Sequence, residues 1–374
     1  MPPRIDQAAM VTEAFFAHFL AYFTSDGDFR DLQNENTWIH HLPRLSTDGT
    51  NNALNLALRA TATAYCATEV NNPSIMQHAF TLYGEALFAH LKLLSSKPKE
   101  YTVHMVSTSV LLSIFEAMHA TTTDGYYEHI NGAVKMMELA GPNQCYGGVL
   151  CQLFFHIRTQ MAFVNLTSHK SAPVQVRKIL VETLEYRRLP VIQQLMDYMA
   201  ILTELYMRRS NGRSYEQGMD LPAYIHLLSS VNALWAEYQE EAESRGQPLC
   251  RLDNVTLDPV FRDAFTALTI AYFCAARVLL AILDPQSMTT RAELTGHCAT
   301  IISCARYLQT ESIGVVYMRM TTPLYLVCLH SPDPLLITET LRMFETWKGG
   351  AMKGVTARAL EKIYARRNSR TGGH

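Results

Sequence analysis

The sequence predicts an all-α protein, a multi-helix array of stacked antiparallel helical hairpins. Three observations lead there. Apolar residues recur at the helical period through most of the 374 residues, strand-like alternation is nearly absent, and the breaks between periodic segments are short. Hydrophobic residues make up 48% and charged residues 18%, below the ~25% usual for soluble domains, so disorder is excluded and extensive contact between elements is expected. A chain of this length buries ~75% of its unfolded surface and builds a large core.

Helical segments are expected at 5–23, 52–70, 74–96 and 101–119. The best-defined element follows Asp124 as N-cap and carries Tyr126, Ile130, Ala133, Val134, Met137 and Ala140 on one face, stopping at Gly141-Pro142. Further helices fit 147–165, 190–210, 219–244, 258–283, 287–310, 312–330, 333–347 and 352–367. Asp258-Pro259 reads as an N-cap followed by proline at the first helical position. Ala264 to Leu283 is long and apolar enough to cross a bilayer, but Thr266, Thr269 and Arg277 interrupt it, and a buried core helix is the expectation. The breaks at Ser168 to Pro173 and Ser210 to Asp220 divide layers of helices and are too short for interdomain linkers. One helical domain over 1–347 is expected, followed by a basic helix and tail over 348–374. No sequence repeat is found.

Charge is near balance: 32 Lys and Arg against 34 Asp and Glu, a formal −2. The chain as a whole lacks the basic excess of a self-sufficient nucleic-acid binder. From Lys348 to His374 seven basic residues face Glu361 alone, a formal +6 that leaves −8 on the rest; a solvated helix end is the simpler account of that segment. The eight cysteines include no C-x-x-C and no zinc-type spacing with histidine, so buried, reduced thiols are expected. Asp6 and Glu13 interrupt the N-terminal apolar stretch, which argues against a secretory signal and makes the sequons at Asn165 and Asn254 chance matches.

Motifs for the common chemistries of helical and α/β enzymes are missing. There is no D-D-x-x-D, H-E-x-x-H, G-x-S-x-G, Walker loop or G-x-G-x-x-G, and Glu116-x-x-His119 occurs without the second copy a di-iron site needs. No cofactor and no metal are expected. Three polar residues stand out by position. Glu116 lies in a helix otherwise lined by residues such as Val110, Ile114, Phe115 and Met118; Arg158 shares a face with Cys151, Phe154, Phe155 and Ala162; His129 shares one with Gly132, Ala133 and Met136. A buried charge needs a partner, and Glu116 is a candidate partner for Arg158. The three form either a satisfied structural network or the polar end of a ligand pocket or acid/base site.

The same residues carry a family resemblance. Trp38 and Leu42-Pro43 are followed by Leu54-x-x-Ala57-Leu58-x-Ala60, Ala79-x-x-x-Tyr83-x-x-Ala86-Leu87, Leu112-x-x-x-Glu116, His129-x-x-Gly132-Ala133, Gly141-Pro142, and then Phe154 and Arg158. In order and spacing this resembles the fungal-specific transcription factor domain, the helical regulatory region found C-terminal to zinc binuclear cluster modules. The resemblance spans about residues 10 to 347. It departs from the family at the start: no cysteine precedes Cys66, so the six-cysteine DNA-reading cluster is not in this chain and no direct DNA binding is expected. The chain is then a truncated homologue of a regulator or a stand-alone protein that kept the helical domain.

The resemblance implies a regulatory and interaction domain, nuclear, controlling metabolic or secondary-metabolite genes through protein partners or a homodimer, with a small apolar ligand among the helices as a possible trigger. Two alternatives stand beside it. One is a cytoplasmic enzyme on the same scaffold, a cyclase, isomerase or hydrolase of an apolar metabolite, with His129 as acid or base, Glu116 as its orienter and Arg158 stabilising an oxyanion. The other is a non-catalytic dimerising adaptor. No membrane partner is expected.

Overall fold

In a computed structural model of the chain, residues 14, 16–17, 19–20, 38–47, 51–96, 101–141, 148–167, 189–210, 221–253, 259–311, 314–350 and 352–371 are described. Among them the chain is helical nearly throughout, as the periodicity predicts. A 3-10 turn, Trp38–His41, leads into α1 (Leu42–Thr47), α2 (Asn52–Glu69), α3 (Pro73–Ser95), α4 (Val103–His119), α5 (Gly125–Ala140) and α6 (Gly148–Thr167). Then follow α7 (Val191–Ser210), α8 (Leu221–Ser244), strands β1 (Cys250–Leu252) and β2 (Pro259–Phe261), α9 (Ala264–Leu283), α10 (Arg291–Glu311), α11 (Gly314–His330), α12 (Pro334–Lys348) and α13 (Lys353–Thr371). The expected helix over 5–23 and the breaks at 168–173 and 211–220 lie largely or wholly outside the described residues.

Local chemistry sets the ends. Asn51 caps α2 by accepting from the Leu54 amide, Asn72 caps α3 ahead of Pro73, and Thr102 caps α4. Gly141, at φ 85°, closes α5 where a glycine stop is expected. Asp124 stands at the N-cap position of α5, but its side chain makes no capping bond.

One expected start is corrected. Pro259 opens β2, which pairs antiparallel with β1 in the register Cys250↔Phe261, and α9 begins five residues later than predicted. Asp263 is the cap there, its carboxylate accepting from the Thr266 amide at 2.6 Å. Proline at the end of a strand gives up no ladder bond, so the dipeptide that marks a helix start equally suits a strand start. Asp258 lies outside the described residues.

The chain divides into two compact units, with the division inside α6 between Ile157 and Arg158. The first takes in α1 to α5, the start of α6 and Trp347–Thr356; the second takes in Arg158–Thr346 and Ala357 onward. In the first, α4 packs against α2, α3 and α5, and Met105 to Met118 are buried without a break. A helix buried all round cannot keep its polar side chains in water. Thr108 and Ser113 turn to carbonyls of their own helix, and Thr61 of α2 reaches across to the Leu111 carbonyl at 3.3 Å.

In the second unit α9 has the central place, against α7, α8, α10 and α11. Its apolar composition is spent on that packing: 16 of its 20 residues are buried, as expected of a core helix. Six of the cysteines are buried and none of the described ones is disulfide-bonded, but Cys250, on the two-stranded ribbon, is exposed. Cys145 lies outside the described residues.

The basic C-terminal stretch is part of both units. Gly354 sits where an added Cβ would lie 2.1 Å from the Glu116 carbonyl oxygen, so the start of α13 seats on the end of α4 through backbone contact. Further along, Arg366 donates to the Tyr206 hydroxyl at 2.8 Å and the Leu166 carbonyl at 3.0 Å. That cation holds helices together, where a solvated end was the simpler expectation.

Candidate functional site

The residues singled out by sequence fall into two places. Glu116 and His129 belong to the first unit, joined through Tyr83; Arg158 belongs to the second.

Glu116, 1% exposed, is carried inside by the last turn of α4. The chain turns immediately after it: Ala120 adopts a left-handed conformation, φ 48°, and returns its amide to the Glu116 carbonyl at 2.8 Å. This turn delivers Thr121 to the carboxylate. The Thr121 amide donates to Oε2 at 2.7 Å and its hydroxyl donates to Oε1. From α3 the Tyr83 hydroxyl donates to Oε1 at 2.5 Å. Both oxygens are thus occupied by donors from α3 and the α4–α5 turn. Gly125, at the start of α5, makes room: a Cβ there would stand 2.6 Å from Glu116 Cδ.

The Tyr83 oxygen also lies 3.0 Å from His129 Nε2. A phenol has one proton, and it goes to Glu116, so the tyrosine oxygen accepts and His129 carries its proton on Nε2. The order of donation is His129 to Tyr83 to Glu116. Burial pushes the His129 ring down to about 4, so it is neutral near pH 7, and burial pushes the Tyr83 phenol up, assisted by Glu116. Tyr83 is further fixed by stacking on Phe115, centroids 4.2 Å apart at 12°. The small residues beside His129 admit a helix of the same unit: an added Cβ at Gly132 would sit 3.6 Å from Ser109 Oγ of α4.

The proposed pairing of Arg158 is corrected. Its guanidinium, 2% exposed at the side chain, forms an ion pair with Asp197 of α7, while the Glu116 carboxylate is taken by Tyr83 and Thr121. Burial pushes the Asp197 carboxyl above its ordinary value and Arg158 opposes that rise. Sequence reasoning missed Asp197, Tyr83 as the connecting hydroxyl, Thr121 and Gly125. An acid among the apolar positions of the first half of α7 was the available signal for Asp197, and a glycine directly after an N-cap was the signal for Gly125.

Chemically, the relay is well satisfied and poor in reactive groups. Glu116 accepts three hydrogen bonds, two at Oε1 and one at Oε2, and among the described residues no three or more His, Cys, Asp or Glu side chains gather at metal-binding distance. Comparison with protein families, with curated proteins and with solved structures finds no match for this chain.

Proposed function

We propose that this chain is a helical regulatory and interaction domain like those of fungal transcription regulators, acting in the nucleus through protein partners or self-association. One observation carries the proposal. Three separate pieces of the family-like pattern, around Tyr83, Glu116 and His129, meet in one hydrogen-bonded relay tying α3, α4 and α5 together. Residues that match a pattern because they build a shared scaffold are expected to converge in this way. The relay also weighs against Glu116 as a general base: its carboxylate already accepts from the Tyr83 hydroxyl and from the amide and hydroxyl of Thr121.

The test tethers the full chain to a heterologous DNA-binding module upstream of a reporter in a fungal cell. A several-fold change in reporter output relative to the module alone is expected, and it should be lost in a variant that unfolds the chain. Unchanged output from a folded, nuclear fusion across carbon and nitrogen sources would overturn the proposal.

A further inference from the structure

The second unit holds a cleft of about 550 Å³ between the N-terminal half of α8 and the C-terminal half of α9, closed at one end by the 286–289 turn and the start of α10. That volume falls within the ~300–1,000 Å³ of small-molecule sites. Its walls combine polar side chains with an apolar stretch that includes Leu221, Ile225, Leu228, Leu280 and Met288. Ile225 and Met288 are 53% and 73% exposed, which leaves large apolar side chains at the mouth in water.

One cation lines this cleft. Arg277 lies half-buried with its guanidinium 5.3 Å from the centre of the Trp235 ring. It makes no ion pair and no hydrogen bond among the described residues, although Asp284 and Glu293 line the same cleft. Both acids are engaged elsewhere. Asp284 accepts from the amides of Gln286, Met288 and Thr289 at 2.9, 2.7 and 3.0 Å and from the Thr289 hydroxyl at 3.3 Å. Glu293 accepts from the amide and hydroxyl of Thr290, both at 2.8 Å, in the capping box that starts α10. His297, the remaining titratable group of the cleft wall besides Tyr224, is pushed down by burial and by Arg277, and so is neutral near pH 7. The guanidinium therefore keeps five donors for a planar, bidentate acceptor, with its charge over the Trp235 ring.

We propose that this cleft binds an apolar carboxylic acid, with the carboxylate on Arg277 and the hydrocarbon along Leu221, Ile225, Leu228 and Leu280. A carboxylate supplies the charge and the paired acceptors the arginine lacks, and the chain covers the exposed apolar wall. This goes beyond the regulatory proposal and stands apart from it: a failed titration leaves the tethering result untouched, and the reverse.

The experiment is calorimetric titration of the full chain with dodecanoate below its micelle concentration, with dodecanol and dodecylamine as matched chains. Saturable binding of one dodecanoate per chain is expected, tighter than dodecanol by about tenfold or more, the worth of a charge-assisted hydrogen bond. Arg277→Gln should abolish the preference for acid over alcohol, and Ile225→Asp, at an exposed position where folding is not at risk, should weaken both. Equal affinity for the three chains, no binding of dodecanoate, or undiminished binding by folded R277Q and I225D proteins would overturn the proposal.

Discussion

The Tyr83 hydroxyl donates to Glu116 at 2.5 Å, and through that same oxygen α3 receives His129 of α5. Removing the oxygen alone tests its worth. In Tyr83→Phe the ring stack on Phe115 survives, but the His129 N–H loses its partner and Glu116 Oε1 keeps only the Thr121 hydroxyl. A loss of ~1–3 kcal/mol is expected, because leaving buried groups unsatisfied costs more than the bond itself contributed. Urea unfolding near neutral pH checks it; a change within error would show that water takes the hydroxyl's place.

Two glycines give opposite signs for the same substitution. Gly84, mid-way along α3, has nothing within 4 Å of an added Cβ, so Gly84→Ala is expected to stabilise by ~0.5–1 kcal/mol through helix propensity. Gly125 would place its Cβ 2.6 Å from Glu116 Cδ, and Gly125→Ala should destabilise by ~1–3 kcal/mol as the carboxylate is forced off its donors. Pairing Gly125→Ala with Glu116→Ala should recover part of that loss. Additive effects would mean the two residues do not compete for space.

Much of this was legible in the sequence, for physical reasons that also mark where legibility stops. Helical periodicity is a local property, and α2 to α13 fall close to their expected spans. Asp258-Pro259 misled because a cap-proline signal does not distinguish a helix start from a strand start when Asp263 supplies the same capping chemistry further on. The expected helix over 287–310 starts late, at Arg291, because Asp284 gathers three amides and folds 286–289 into a turn. Glu116 and Arg158 were visible as charges drawn into apolar faces. Their partners were not: Tyr83 lies 33 residues before Glu116 and Asp197 lies 39 after Arg158, separations on which helical spacing is silent.

Acid should loosen the first unit. Burial lowers His90, His119 and His129 to about 4 each, with His129 adding to the effect on His90 and Lys353 to that on His119. The unfolded chain takes up these protons near pH 6.5 and the folded chain only near 4, so the stability present above 6.5 is lost as pH falls between those values. The limit is roughly 3 kcal/mol per histidine. Asp197, whose carboxyl is raised, works the other way as pH falls through its raised value. Unfolding free energies from pH 7.5 to 4.5 should fall with uptake of more than one proton, and His129→Gln should flatten the slope. A pH-independent stability over this range would contradict the neutral, buried state of all three rings.

Arg158 and Asp197 pose the question of whether a buried ion pair stabilises at all. The arginine side chain is 2% exposed and the aspartate 31%, and burial raises the Asp197 carboxyl despite the guanidinium beside it. For Asp197, then, the cost of leaving water exceeds the attraction it gains. Losing one partner is still worse than keeping both: Asp197→Ala is expected to destabilise by roughly 3 kcal/mol, since it removes the counter-charge facing the buried Arg158 guanidinium. Replacing both, Arg158→Met with Asp197→Leu, should cost less than either single change and fall near neutral. The comparison is a double-mutant cycle by urea unfolding, with the single variants assayed at the same pH. If the double variant is as unstable as the sum of the Arg158→Met and Asp197→Leu singles, the two side chains are uncoupled and the expected penalty for losing one partner is wrong.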